Sequence, residues 1–146
     1  MFKVLIAVDG TEPALRAVAT VAKMAQVFDG LEAILVNVRS GALLDPLFAV
    51  EYNETTIRKL DAEQESWQTK VLSDAQEYAK SSGLKITVCL RLHGIAANEI
   101  VRAAQEQHVD QIAMGTHGRS AVGGLLLGSI AQKVIHLTDI PVLLVK

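Results

Sequence analysis

A cluster of glycines in the last third of the chain is the feature best suited to chemistry. Five of the ten glycines fall between Gly115 and Gly128, after a predicted strand and before a predicted helix. Glycine permits positive φ and carries no Cβ, so main-chain N–H groups can converge on an anion. The helix opening at Gly128-Ser129 adds free N–H groups, a positive dipole end and the Ser129 hydroxyl. This pattern predicts a phosphate site, although a plain glycine loop with Ser129 as an ordinary helix cap fits it equally well.

The glycine segment differs from the two common phosphate-binding loops. It lacks the G-x-x-x-x-G-K-[ST] of a Walker loop, and no lysine lies between Gly115 and Gln132. Nor is it the dinucleotide-binding G-x-G-x-x-G, which would follow the first strand. Arg119 is its only full positive charge. A triphosphate would therefore rest mainly on main-chain amides, one guanidinium and a bound divalent cation.

Two polar residues near the predicted strand ends are further candidates. Asp9 follows the first apolar strand, where its carboxylate would suit ligand donors; the alternative is that it only caps the first helix together with Thr11. His117 lies within the glycine segment and is predicted either to touch phosphate or to be solvated. We favour ligand contact for Asp9 and leave both interpretations of His117 open.

The remaining reactive residues do not indicate a metal centre or a nucleophile. His93, His108 and His136 have no metal-ligand spacing and are predicted at the surface. Cys89 is the only cysteine, which excludes an internal disulfide and a cysteine metal cluster. It lies on the polar face of a predicted strand without a nearby histidine, so we do not expect a nucleophile. Trp67 is predicted to be a core or interface anchor.

The composition predicts one packed globular domain over residues 1–146. Half of the residues are hydrophobic and 21% are charged, with a mean hydropathy of +0.29. The net charge of −2 and the 4% aromatic content argue against nucleic-acid binding and against attraction to an anionic membrane. No apolar stretch is long enough to span a bilayer or to act as a signal peptide, so a cytoplasmic protein is expected.

Strand-like and helix-like patterns alternate along the chain. Strands are predicted at 4–8, 33–38, 84–92, 111–114 and 141–145, and helices at 11–28, 54–82, 97–107 and 129–136. The third strand alternates strictly from Leu84 to Leu92, which indicates one face in solvent. Residues 40–53 are predicted to form a loop or an irregular helix.

Five strands separated by helices predict a three-layer α/β fold with a doubly wound parallel sheet. Such sheets bind ligands beyond the carboxyl ends of the strands, where the winding reverses. If the first and fourth strands are neighbours there, Asp9-Gly10 and Gly115-Thr116 line one crevice. The last strand, Val142–Val145, is apolar on both faces. It is therefore either interior or covered by a second subunit, and we favour a homodimer.

The spacing of the glycine segment also carries a family resemblance. Gly115-Thr116-His117-Gly118, nine further residues and then Gly128-Ser129 reproduce G-x2-G-x9-G-[ST]. In this spacing, and in the opening segment Val8 to Glu12, the chain resembles the ATP-binding members of the universal stress protein family. The resemblance is essentially end to end. It implies an adenine nucleotide alpha hydrolase-like fold with strand order 3-2-1-4-5, and a dimer formed through the last strand.

The resemblance also implies roles for individual residues. Adenine would pack on Ala7 and Val8, and the main chain of Val38 would bond the edge of the base. Asp9 would face the adenosine, and Met114 and Gly115 would border the ribose. The residues around the phosphates would be Gly118, Arg119, Gly128, Ser129 and Ile130, with His117 as a further candidate. Mg²⁺ would be held mainly by the phosphates rather than by protein side chains.

Three hypotheses of function follow. The first is an ATP-binding module of the stress response that changes state or partner with its nucleotide. The second is a slow ATP hydrolase or self-phosphorylating enzyme using the same pocket; its weakness is that no general base accompanies the phosphate loop. The third is a nucleotide-free interaction protein acting through residues 40–53, supported only by Leu43, Leu44, Leu47 and Phe48.

Overall fold

The protein is described by a computed structural model that covers residues 1–39, 53–118 and 127–146. The hypothesis of an interaction loop built on Leu43, Leu44, Leu47 and Phe48 lies outside these residues. Within them the strands are β1 (Phe2–Ala7), β2 (Leu31–Arg39), β3 (Ile86–His93), β4 (Gln111–Gly115) and β5 (Val142–Val145). The helices are α1 (Glu12–Ala25), α2 (Glu54–Ser81), α3 (Ala96–Glu106) and α4 (Ser129–Leu137).

The five strands form one parallel sheet in the order β3-β2-β1-β4-β5. This confirms the predicted α/β fold and its strand order. The chain builds outward from β1 to β3 on one side, then returns to place β4 against the other side of β1. The winding therefore reverses between β1 and β4, where the carboxyl ends of two neighbouring strands diverge.

The stretches Val4–Ala7 of β1 and Ile112–Met114 of β4 are wholly apolar because helices cover both faces of the sheet. Val4 and Ile6 pack into the core beneath α1 and α2, whereas Leu5 packs beneath α3 and α4, and all three are fully buried. This two-sided burial explains why β1 shows no alternation of polar and apolar residues.

Helix α1 begins as the sequence predicts but ends earlier. The Thr11 hydroxyl accepts a hydrogen bond from the Ala14 N–H at 3.4 Å, and a proline occupies the first turn. The predicted end near Phe28 is wrong, because the N–H groups of Val27 and Phe28 both bond the Met24 carbonyl and tighten the last turn. The Phe28 ring then stacks on Phe2, with centroids 6.1 Å apart.

Strand β3 also departs from its predicted pattern. The pairing with β2 shifts between Ala33 and Ile34, whose partners are Ile86 and Val88, so Thr87 is an extra residue. Such a bulge reverses the faces of all following side chains. Ile86 accordingly packs on the α1/α2 side, whereas Leu90 and Leu92 pack on the α3/α4 side. The prediction that Leu84 to Leu92 present one apolar face is therefore wrong.

Strand β5 lies at an edge of the sheet. It pairs with β4, and all four of its residues are half-buried. Within the part of the chain that the structure describes, this rules out an interior position, one of the two alternatives left by the sequence. Among the described residues, no helix is long and apolar enough to cross a membrane.

Candidate functional site

A cavity of about 260 Å³ opens beyond the carboxyl ends of β1, β2 and β4. It lies where the winding of the sheet reverses, between β1 and β4. Asp9 lines it from the end of β1, and Gly115 and Thr116 line it from the end of β4. The prediction that these two strand ends share one crevice is confirmed.

Most of the predicted site residues come together around this cavity. Ten of them line it: Ala7, Val8, Asp9, Val38, Met114, Gly115, Gly118, Gly128, Ser129 and Ile130. Arg119 lies outside the described residues. His117 is half-buried beside the cavity but is not among the residues that line it, and its Nδ1 lies 2.9 Å from the Thr116 hydroxyl. The binding roles of these residues remain predictions.

Asp9 both orders the start of α1 and faces the cavity. Its Oδ1 accepts hydrogen bonds from the Thr11 N–H at 3.0 Å and from the Thr11 hydroxyl at 2.5 Å. Its Oδ2 points across the crevice, since a Cβ built on Gly118 would lie 3.1 Å from this oxygen. Asp9 is the one ionisable residue among the described residues that line the cavity. The geometry of Asp9 is therefore compatible with both of its predicted roles, capping α1 together with Thr11 and contacting a ligand.

The glycines of the signature serve close packing rather than an unusual backbone conformation. A Cβ on Gly115 would lie only 2.8 Å from the Pro13 Cβ, and one on Gly128 would lie 3.1 Å from the Thr116 carbonyl oxygen. Neither these two glycines nor Gly118 has a positive φ. Of the two properties of glycine named from the sequence, positive φ is not used at these three positions, whereas the missing Cβ leaves room for neighbouring atoms to approach.

The start of α4 brings main-chain donors without a partner inside the helix to the wall of the cavity. Gly128 is the N-cap, and its own N–H bonds the Thr116 carbonyl at 2.7 Å. Helical bonding begins with the Gln132 N–H to the Gly128 carbonyl, so the amides of Ser129, Ile130 and Ala131 have no partner within the helix. All three residues line the cavity. The alternative in which Ser129 caps the helix is wrong, because Ser129 is its first residue and Gly128 makes no side-chain cap.

The other reactive side chains lie apart from the cavity. His93, His108 and His136 are exposed, and the described part of the chain holds no cluster of three metal-ligating side chains. Cys89 is exposed on β3, and partial desolvation raises the pKa of its thiol above the usual value. A raised pKa lowers the thiolate fraction, which agrees with the expectation that Cys89 is not a nucleophile.

Several lining residues were not predicted from the sequence. Asn37 is buried, and α3 contributes Ala96 and Ile100. Asn37 carried a usable signal, because it is a polar residue inside the apolar run of β2. The side of α3 that meets the cavity required the sheet order and could not be read from local patterns.

Comparison with known proteins identifies the family. The model of the universal stress protein family matches residues 1–146. The chain belongs to this family. A universal stress protein of Thermus aquaticus is 36% identical over 147 residues, covering all of both chains. One from Methanocaldococcus jannaschii is 34% identical over 144 residues, covering 99% of this chain and 81% of the relative.

Solved structures agree with this assignment. A second universal stress protein of M. jannaschii superposes with a TM-score of 0.82 at 28% identity, covering 99% of this chain and 94% of that one. Two more distant universal stress proteins share the fold and hold adenine nucleotides. That from Archaeoglobus fulgidus is in complex with dAMP (20% identity, TM-score 0.72, coverage 100% and 98%). That from Arabidopsis thaliana has AMP bound (14% identity, TM-score 0.69, coverage 100% and 92%).

Proposed function

We propose that this protein is an ATP-binding universal stress protein, a module whose state or partner changes with the bound nucleotide. The observation that carries the proposal is the row of amides at the start of α4, from Ser129 to Ala131, which have no partner within the helix and belong to residues that line an open cavity. Free N–H groups and the positive dipole end of a helix favour an anionic ligand. Adenine nucleotides held by two universal stress proteins of the same fold support the choice of ligand.

The adenosine half of the ligand would occupy the apolar side of the cavity. Ala7 and Val38 provide side chains there from β1 and β2, and Met114 provides one from β4. Asp9 would accept hydrogen bonds from ribose or adenine donors through the oxygen that Thr11 does not use. This arrangement combines an apolar lining with a single carboxylate, as small-molecule sites commonly do.

The phosphates would lie against the start of α4. Three amides from Ser129 to Ala131 supply donors, and Gly118 leaves space because a side chain there would meet Asp9. The carboxylate of Asp9 is already bonded to Thr11, and the described residues offer no cluster of metal ligands. Mg²⁺ would accordingly be held by the phosphates and would neutralise part of their charge.

Calorimetric titration with MgATP tests the proposal, combined with mass spectrometry of small molecules released on denaturation. We expect the wild type to bind ATP and Gly118→Asp to lose binding, since the new carboxylate would crowd and repel both Asp9 and the phosphates. Gln76→Glu is the charge control, because it adds one negative charge on the exposed side of α2, outside the cavity. Absence of binding at millimolar ATP, with no adenine nucleotide in the purified protein, would refute the proposal.

We also propose that a second copy of the chain covers β5. The strand presents half-buried apolar residues at an open sheet edge, Val142–Val145, and the neighbouring helix α4 exposes Ile135 and Leu137. An apolar edge of this kind favours pairing with another strand. The resulting homodimer would leave the nucleotide cavity of each subunit within its own chain.

A further inference from the structure

Two buried carboxamides connect α2 with the end of the sheet that borders the cavity. Gln68 is fully buried, and its Nε2 donates to the Asn37 carbonyl at 3.0 Å and to the Leu92 carbonyl at 2.9 Å. Asn37 is 2% exposed, and its Nδ2 donates to the Val8 carbonyl at 2.7 Å. One helix and three strands, β1, β2 and β3, are thus tied together through two side chains.

The Asn37 side chain replaces a main-chain bond that would otherwise continue the sheet. The β1–β2 ladder runs to Ala7 and Val36 and ends with the Val8 N–H bonding the Val36 carbonyl at 2.9 Å. Successive residues of a strand direct their main-chain groups to opposite neighbours, so Val38 directs its N–H and carbonyl to the same side as Val36. The Val8 carbonyl, which the Val38 N–H would meet in a continued ladder, instead accepts the Asn37 Nδ2. The main chain of Val38 therefore faces the cavity instead of β1.

Gln68 fixes the peptide group that joins Asn37 to Val38. The carbonyl that it bonds belongs to Asn37 and is joined directly to the Val38 nitrogen, so the bond fixes the plane of this peptide group. Through its second bond Gln68 also fixes the carbonyl of Leu92, the register partner of Val38 in β3. The orientation of the Val38 N–H is thus determined by Gln68, which does not line the cavity, and by Asn37, which does.

Asn37 and Gln68 are polar residues at two buried positions where apolar side chains would be sufficient for packing. Asn37 Oδ1 and Gln68 Oε1 are buried and have no hydrogen-bond partner among the described residues. A buried acceptor without a partner costs stability, and apolar side chains of similar volume would avoid that cost. The nitrogens must therefore provide something that packing alone would not: Gln68 holds the Asn37–Val38 peptide, and Asn37 occupies the Val8 carbonyl that the Val38 N–H would otherwise bond.

We propose that Asn37 and Gln68 are positioning residues that set the base preference of the nucleotide site through the main chain of Val38. This inference rests on the proposed function. A fixed N–H beside a fixed carbonyl matches the edge of adenine, where N1 accepts and the 6-amino group donates. Guanine reverses both groups, because its N1 donates and its O6 accepts. A site built around fixed donors and acceptors discriminates strongly between such ligands.

The experiment compares the dissociation constants of MgATP, MgGTP and magnesium tripolyphosphate for the wild type and three variants. Gln68→Met keeps the volume of the side chain and removes its donor. Asn37→Thr keeps a residue that suits a strand but is one bond too short to reach the Val8 carbonyl. Gln111→Met is the matched control, since Gln111 also has an unpartnered Oε1 but lies at the amino end of β4, away from the cavity. Thermal unfolding without ligand records the folded state of each variant.

We expect Gln68→Met and Asn37→Thr to weaken ATP binding about tenfold and to narrow the preference for ATP over GTP by a similar factor. Binding of tripolyphosphate should stay within about twofold of the wild type, because the start of α4 does not depend on the two amides. Gln111→Met should leave all three affinities unchanged. A purely structural role would weaken ATP and tripolyphosphate together.

Two other outcomes distinguish failure of the positioning role from failure of the proposed function. If the wild type binds ATP and the ATP-to-GTP ratio is the same in the variants, the positioning role is overturned and the proposed function stands. If the wild type binds neither ATP nor GTP, the proposed function itself fails. Should one variant not fold, the other still decides, since each removes a separate hydrogen bond that orients the main chain of Val38.

Discussion

At the scale of single residues, Asp9 both orders the start of α1 and lines the cavity. One carboxylate oxygen is bonded twice by Thr11 and so helps to start α1, while the other faces Gly118 across the crevice. The sequence left capping and ligand contact as alternatives, because both require a carboxylate just after a strand. The structure makes them compatible, so they must be separated by substitution.

A pair of substitutions separates the two roles of Asp9. Thr11→Val removes the helix cap but keeps the carboxylate, and we expect it to lower the free energy of unfolding by about 1 kcal/mol with ATP affinity within about twofold. Asp9→Ala removes both contributions, and we expect a similar loss of stability together with about tenfold weaker ATP binding. Urea denaturation without nucleotide and calorimetric titration provide the two measurements. Equal loss of ATP affinity in both variants would mean that Asp9 acts only through α1.

The glycines and Asn37 mark how far residue types alone predict a site. The spacing of Gly115, Gly118 and Gly128 located the cavity correctly, but only one of the two reasons given for glycine applies, because these positions need the room left by a missing Cβ and do not use positive φ. The distance from Gly115 to Pro13 depends on how α1 packs on β4, which no local pattern encodes. Asn37 was missed for the same reason, since its partner Val8 is 29 positions away.

At the scale of elements, α4 differs from the helices whose first turn is capped by a side chain. Thr11 caps α1, and the Asn53 Oδ1 accepts the Thr56 N–H at 2.8 Å at the start of α2. Helix α4 starts at Gly128 without such a cap, and its first amides face the cavity. A helix start without a side-chain cap favours a nearby anion, which can belong to a ligand or to the protein itself.

Ser129→Asp tests this property of α4 because it should change stability and binding in opposite directions. A carboxylate in the first turn complements the helix dipole, so the free energy of unfolding without ligand should rise by about 0.5 kcal/mol. The same charge repels phosphates, so ATP binding should weaken at least about tenfold. Adenosine, which carries no phosphate, should bind as it does to the wild type. Chemical denaturation and titration with both ligands provide the measurements.

Ser129→Ala is the control for this change, since it removes the hydroxyl without adding charge. We expect it to leave stability nearly unchanged and to affect ATP binding much less than Ser129→Asp. If Ser129→Asp instead leaves ATP affinity intact, the phosphates do not lie at the start of α4.

Strand β3 shows why element boundaries and faces are harder to predict than element types. The alternation from Leu84 to Leu92 correctly indicates a strand, yet the extra residue at Thr87 sends its two halves to opposite faces. A bulge depends on pairing with β2 and leaves no mark in the period of β3 itself. The sequence therefore predicts that this segment is a strand, but it does not predict which face of the sheet each side chain lies on.

At the scale of the whole molecule, the order of elements was sufficient to predict the architecture. Alternating strands and helices permit few arrangements, because parallel strands need crossover connections and those connections place helices on both faces. The strand order 3-2-1-4-5 came from the family resemblance and is what the sheet shows. The order of elements does not predict what covers an edge strand, and β5 is an edge strand.

The main-chain pattern of β5 allows the proposed dimer to be tested without disturbing the subunit. The Pro141 carbonyl accepts the Ile112 N–H and the Val145 carbonyl accepts the Thr116 N–H, each at 2.9 Å. Alternate residues therefore face β4, and Leu143 is among them, whereas the N–H of Leu144 points to the open edge. Proline is tolerated on an edge strand where its missing N–H faces outward.

Leu144→Pro should therefore convert a dimer into a monomer whose subunit remains folded, as measured by sedimentation velocity at several protein concentrations and by thermal unfolding. Leu143→Pro is the matched control, because it removes an N–H that serves β4 and should destabilise the subunit itself by about 1–3 kcal/mol. Because the cavity lies within one chain, the monomeric variant should still bind ATP. A wild type that sediments as a monomer, or a Leu144→Pro variant that remains a dimer, would show that β5 is not the interface.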